Sequence, residues 1–268
     1  MINNKYYAID CHCHIYPEKI ASRAVGGTDA FYGSVSVGSG LVEDMLARAD
    51  RAGIDRALVQ SVATTPHQVR SINNFIAAEV AKHPDRLIGF GALHPASEDI
   101  EGDLLHLISL GLRGVKLHPD IQDFKIDDYR ALTIYEACER HGVPILFHAG
   151  DGRYDRSNPN RLVPVLRIYN RLNVIAAHFG GYSIWDQAVE ALAGMPNLYV
   201  DCSSAMPFLT DDKIREYIRR YGEDRVLFGT DYPMWTGENE VPRLLSLGLS
   251  DEAYRKIFSE NAIKLLGL

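Results

Sequence analysis

Four cysteines, at positions 11, 13, 138 and 202, are too few to staple a chain of 268 residues. Cys11 and Cys13 stand too close along one predicted strand for a structural disulfide, so reduced thiols and a cytoplasmic protein are expected. No apolar run approaches the roughly 18 residues that a membrane-spanning helix needs. The first residues, Met-Ile-Asn-Asn-Lys-Tyr-Tyr, carry no basic stretch followed by an apolar one, so no signal peptide is expected. Blocks of like charge are missing as well. Lys and Arg number 28 against 35 Asp and Glu, a net charge of −7, which argues against nucleic acid or an anionic membrane as partner. A Gly-rich phosphate loop after the first strand is also absent, which counts against an open dinucleotide-binding sheet.

What is present is an alternation. Hydrophobic residues make up 46% of the chain, ample for a large core. Short apolar runs near residues 6–9, 57–62, 87–93, 112–117, 143–147, 174–178, 198–202 and 226–231 read as buried strands. Segments of helical spacing lie between them, including 41–52, about 97–110 with Ser97 as N-cap, 184–193, 211–221 and 250–266. Eight such units are the periodicity of a (β/α)8 TIM barrel, with residues 1–268 as a single domain. Strands without clean alternation fit a sheet covered by helices. The Gly-rich passage at residues 15–40 shows no sustained period and reads as a lid or binding loop.

In a barrel the C-terminal strand ends converge on the active-site mouth. Six of the ten histidines fall there: His12, His14, His94, His118, His148 and His178. Asp10, His12 and His14 are spaced to share one face of the first strand, with Cys11 and Cys13 turned to the helices as packing. His12, His14, His148 and Asp231 form the sharpest subset. Three imidazole nitrogens and a carboxylate suit one divalent ion, with Zn2+ the expected metal. A water on that ion would be acidified towards neutrality. His178 would stand beside it as a catalytic residue, and Asp231 would also shuttle a proton.

The runs Ile9-Asp10-Cys11-His12-Cys13-His14, Gly114-Val115-Lys116-Leu117-His118-Pro119, Phe147-His148-Ala149-Gly150, Ala177-His178-Phe179-Gly180-Gly181 and Phe228-Gly229-Thr230-Asp231-Tyr232-Pro233 follow one another along the whole chain. As a set they resemble the amidohydrolase superfamily, in the amidohydrolase-2 branch related to aminocarboxymuconate semialdehyde decarboxylase. The resemblance implies a barrel with metal on His12, His14, His148 and Asp231 and with His178 as a non-ligand. In binuclear members a carboxylated lysine bridges two metals, so Lys116 is either such a bridge or a residue that pairs with Asp201, Asp231 or a substrate anion.

Substrate recognition is expected from the loops. Arg153, Tyr154 and Arg156 offer donors for a carboxylate, and His118, Tyr182, Trp235, Phe31 and Tyr32 offer further polar or aromatic contacts. The expected partner is a small molecule, a carboxylate among the candidates, and self-association into a homo-oligomer is left open. The first functional expectation is a hydrolase of a small amide, ester or lactone that uses metal-activated water. The alternative is a metal-dependent, nonoxidative decarboxylase of an unsaturated or aromatic acid.

Overall fold

The computed structural model describes every residue, Met1–Leu268. Its eight strands are β1 (Ile9–His14), β2 (Arg56–Gln60), β3 (Leu87–Ala92), β4 (Gly114–Leu117), β5 (Ile145–Phe147), β6 (Val174–Ala176), β7 (Leu198–Asp201) and β8 (Val226–Leu227). They pair in parallel and in chain order, β1 to β8. The ring closes where Cys11 N–H donates to the Phe228 carbonyl and Asp231 N–H to the His12 carbonyl. The (β/α)8 barrel is therefore confirmed.

The helices are α1 (Glu18–Tyr32), α2 (Val42–Ala52), α3 (Val69–Lys82), α4 (Ile100–Ser109), α5 (Pro119–Gln122), α6 (Tyr129–His141), α7 (Pro159–Ile168), α8 (Trp185–Leu192), α9 (Asp211–Tyr221), α10 (Gly237–Leu245), α11 (Asp251–Arg255) and α12 (Asn261–Leu266). None is long and apolar enough to cross a membrane. The cap of α4 is Asp99, whose side chain accepts from Gly102 N–H, and Ser97 lies outside the helix. Two cores result from strand alternation. Val59, Val115, Leu117, Phe147, Val174 and Val200 meet the helices, while Ile9, Leu58, Ile88, Leu146, Ile175, Tyr199 and Leu227 fill the barrel. Ala262 and Leu266 of α12 pack against that inner cluster.

Two further expectations need correction. Residues 15–40 are not a loop throughout, because 18–32 form α1. Its cavity-facing positions, Ile20, Arg23, Ala24, Gly27, Thr28 and Phe31, do recur at helical spacing. The small and polar members mute the hydrophobic period, and only Ala21 of the helix is buried. Gly33 ends it with φ 66°, a left-handed cap that glycine adopts without strain. The second correction concerns β1. Its register with β2 shifts between Asp10 and Cys13, a bulge that breaks strict alternation. Cys11 therefore packs inside the barrel with Ile9 and Leu58, and only Cys13 joins the outer core.

Candidate active site

His12, His14, Lys116 and Asp201 lie within β1, β4 and β7, whereas His118, His148, His178 and Asp231 sit in the turns that follow their strands. Asp10, on the outward side of the bulge, does not join the site. Its carboxylate accepts from Thr230 N–H and O–H and from His12 N–H, which ties β1 to the end of β8. His12, His14 and Asp231 do converge. His12 Nε2 lies 3.2 Å from His14 Nε2 and 3.3 Å from Asp231 Oδ1, and His14 Nε2 lies 3.6 Å from that oxygen. A tetrahedral ion with bonds near 2.05 Å would space its ligands roughly 3.3 Å apart, so these three atoms fit one divalent ion.

Their chemistry fits too. Asp201, fully buried, accepts from His12 Nδ1–H at 2.9 Å, which leaves the Nε2 lone pair facing the other two acceptors. Burial pushes the pKa values of His12 and His14 well below the imidazole range, so both offer neutral nitrogens. Lys116, also fully buried, places Nζ 3.0 Å from His12 Nε2. Desolvation draws its pKa down, and the same cause draws that of Asp231 up.

His148, expected as a third nitrogen ligand, stands outside this triangle. Its Nδ1 is 3.1 Å from His178 Nε2, while its Nε2 is 3.3 Å from the Tyr32 hydroxyl and 3.7 Å from Asp120. His178 Nδ1–H donates to the Ser203 carbonyl at 3.0 Å, so its Nε2 is the accepting nitrogen. Burial lowers the His178 pKa to about 4. Backbone strain is concentrated here, since His178 and Asp231 hold φ of 61° and 65°, in the left-handed region. Ser204 Oγ donates to Asp231 Oδ2 at 2.6 Å and receives Trp235 Nε1–H at 3.0 Å.

A second cluster, His118, Asp120 and His148, is also compact and buried. Its two imidazoles stack in parallel, 4.0 Å apart with 4° between planes, so their in-plane lone pairs run side by side. The Tyr32 hydroxyl reaches both Nε2 atoms, at 2.8 Å from His118 and 3.3 Å from His148.

These groups line a cavity of about 530 Å³ that residues of α1 and α3 also wall. Its walls are largely apolar, with Ile20, Phe31, Val62, Ile72, Phe75 and Met234. Five of the six strand-end histidines line it, whereas His94 accepts from Ala96 N–H and lies apart. The loop arginines do not reach it. Arg153 pairs with Asp151, donates to the Phe31 carbonyl and stacks on the Phe31, Tyr32 and Tyr154 rings, pinning the end of α1. Arg156 is engaged by Asp123. Tyr154 stacks on Phe31, and Tyr182 stands edge-on to His178 at 5.9 Å. From the sequence Asp201 is only a partner for Lys116; its hold on His12 Nδ1, for which the Asp201-x-Ser203 spacing at the seventh strand end is the available signal, belongs to the structure.

A family model described as Amidohydrolase matches residues 9–268. The chain is 24% identical over 236 residues to 2-amino-3-carboxymuconate-6-semialdehyde decarboxylase of Dictyostelium discoideum, an alignment covering 74% of this chain and 66% of that one, just under two thirds of its length. Among solved structures, an uncharacterised TIM-barrel protein from Bordetella bronchiseptica superposes with a TM-score of 0.82 at 23% identity, covering 97% of this chain and 98% of that one. A dihydroxybenzoic acid decarboxylase from Polaromonas sp., solved with manganese and 2-nitroresorcinol, gives 0.77 at 20% identity, covering 98% and 97%.

Proposed function

The chain belongs to the amidohydrolase family, in the branch related to aminocarboxymuconate semialdehyde decarboxylase, and on that premise we propose that it is a metal-dependent nonoxidative decarboxylase of an unsaturated or aromatic carboxylic acid. The alternative expectation thus displaces the hydrolase. The observation that carries it is the cavity itself, about 530 Å³ with largely apolar walls and with the metal-binding atoms on its lining. An unsaturated or aromatic acid suits that lining, with its carboxylate towards the histidines and its carbon skeleton against the apolar walls. Relatives whose names state decarboxylation support the reading.

Residues 1–268 then serve as one catalytic domain. His12, His14 and Asp231 hold a single divalent ion, with His148 as the further ligand implied by the family pattern. The Polaromonas enzyme contains manganese, which places manganese beside zinc as a candidate. When bound, the ion supplies a positive centre that fixes the carboxylate and withdraws electron density from the carbon bearing it. The neutral His178, held by the Ser203 carbonyl, accepts from His148 Nδ1–H through Nε2 and so fixes the His148 ring at the metal end. Asp231, the one carboxyl group lining the cavity, would take up a proton from solvent and relay it to the carbon from which carbon dioxide departs, where the electron pair of the broken carbon–carbon bond becomes the new C–H bond. Lys116 stays an unmodified ammonium that balances Asp201 and Asp231. Helix α1 walls the cavity and brings Tyr32 onto His118 and His148.

Carbon dioxide release from a panel of conjugated acids, with and without stringent chelation, tests the assignment. Release that depends on a divalent ion is expected. Turnover of esters, amides or lactones with no carbon dioxide from any acid would return the site to a hydrolase.

A further inference from the structure

Asp231 has two carboxylate oxygens, and they meet different partners. Oδ1 lies 3.3 Å from His12 Nε2 and 3.6 Å from His14 Nε2, while Oδ2 accepts Ser204 O–H at 2.6 Å. That length is typical of a hydroxyl donating to an ionised carboxylate. Ser204 is buried, and its Oγ also receives Trp235 Nε1–H at 3.0 Å. An indole N–H can only donate and a hydroxyl carries one proton, so the direction is fixed from Trp235 to Ser204 to Asp231.

Trp235 is a substrate contact on the sequence reading, yet neither it nor Ser204 lines the cavity. Its indole N–H is committed to Ser204. Its ring meets that of Phe208 edge-on, with 5.9 Å between centroids, and Phe208 belongs to the same turn after β7 that carries Ser204. The turns after β7 and β8 thus clasp one another beside the second oxygen of Asp231. Ser204 also holds φ of 47°, a left-handed setting that strains a side-chain-bearing residue. The strained residue is the one whose hydroxyl reaches Asp231.

We propose that Ser204, aimed by Trp235, is a positioning residue that presents Asp231 to the divalent ion through Oδ1 and keeps Oδ2 turned away from it. This rests on His12, His14 and Asp231 as metal ligands, and it holds whichever reaction the metal serves. With Oδ2 released, the carboxylate is free to turn about its Cβ–Cγ bond or to offer both oxygens. The triangle of His12 Nε2, His14 Nε2 and Asp231 Oδ1 then loses one of its fixed atoms.

The test titrates Zn2+ into the whole chain against a chromophoric chelator, for the wild type, Ser204→Gly, Trp235→Phe and the double variant, with circular dichroism reporting the fold. Glycine adopts a φ of 47° without strain, so Ser204→Gly removes the hydroxyl and keeps the turn. Zn2+ affinity should fall roughly tenfold or more in Ser204→Gly. Trp235→Phe keeps a ring against Phe208 and should lose affinity by a smaller factor. Because Trp235 acts through Ser204, adding Trp235→Phe to Ser204→Gly should change affinity by no more than about twofold. Folded variants that hold Zn2+ as tightly as the wild type overturn the proposal, and so does a double variant whose loss is the product of the two single losses. Should Ser204→Gly fail to fold, wild-type affinity in Trp235→Phe alone overturns it. A wild-type protein that binds no Zn2+ removes the metal reading itself, and this role for Ser204 with it, so the two failures are distinct.

Discussion

Replacing Asp201 by Asn probes how this barrel prepares its metal atoms, and the structure sets the size of the effect. Asp201 Oδ1 accepts from His178 N–H and Ser203 N–H, both at 3.0 Å, and Oδ2 accepts His12 Nδ1–H at 2.9 Å. In Asp201→Asn the amide oxygen keeps the two backbone donors, so the amide nitrogen is left facing His12. Two donors then meet, and His12 relieves the clash by moving its proton to Nε2. That is the atom 3.2 Å from His14 Nε2 and 3.3 Å from Asp231. Losing an orienting partner of this kind costs about 10- to 100-fold in metal affinity, or about 1.4–2.7 kcal/mol. Competition against a chromophoric chelator measures the change, with circular dichroism reporting the fold. An Asp201→Asn protein that folds normally and holds its metal within threefold of the wild type refutes the tautomer argument.

Two further outcomes are expected. Tyr32→Phe deletes the hydroxyl that bridges His118 and His148, and a net loss of about 1–1.5 kcal/mol for the hydrogen bonds predicts roughly a tenfold fall in kcat; an unchanged kcat would show that the bridge is dispensable. Glu240 is buried with Oε2 unpaired, and desolvation raises its pKa from 4.5 to about 8. Because the folded chain holds that proton, stability is full below about pH 4.5 and declines as pH rises towards 8. Glu240→Gln should therefore raise the Tm at pH 8, by roughly 5 °C for about 2 kcal/mol, and leave it unmoved near pH 4.5; equal shifts at both values contradict the desolvation account.

How much of this was legible in the sequence varies with the range of the interaction. Strands β5 and β6 are covered on both faces, so the segments that hold them, 143–147 and 174–177, read as unbroken apolar runs. The ends of those runs then located His148 and His178. Helix α1 was obscured because, between Ile20 and Phe31, it turns only Arg23, Ala24, Gly27 and Thr28 to the cavity. Local spacing also misjudged Cys11, since the bulge that turns it inward exists only in the pairing of β1 with β2. Arg153 and Arg23 are chemically alike in sequence. Their difference lies in Asp151, which engages one, and in the absence of any carboxylate beside the other.

The central claim is that a proton replaces carbon dioxide on a carbon of the bound acid. Running the reaction of a conjugated acid in heavy water and analysing the product by NMR and mass spectrometry tests it most directly. One deuterium is expected at the carbon vacated by the carboxylate, matched by one carbon dioxide per turnover. A product that retains every carbon of the substrate, whatever the rate, contradicts it.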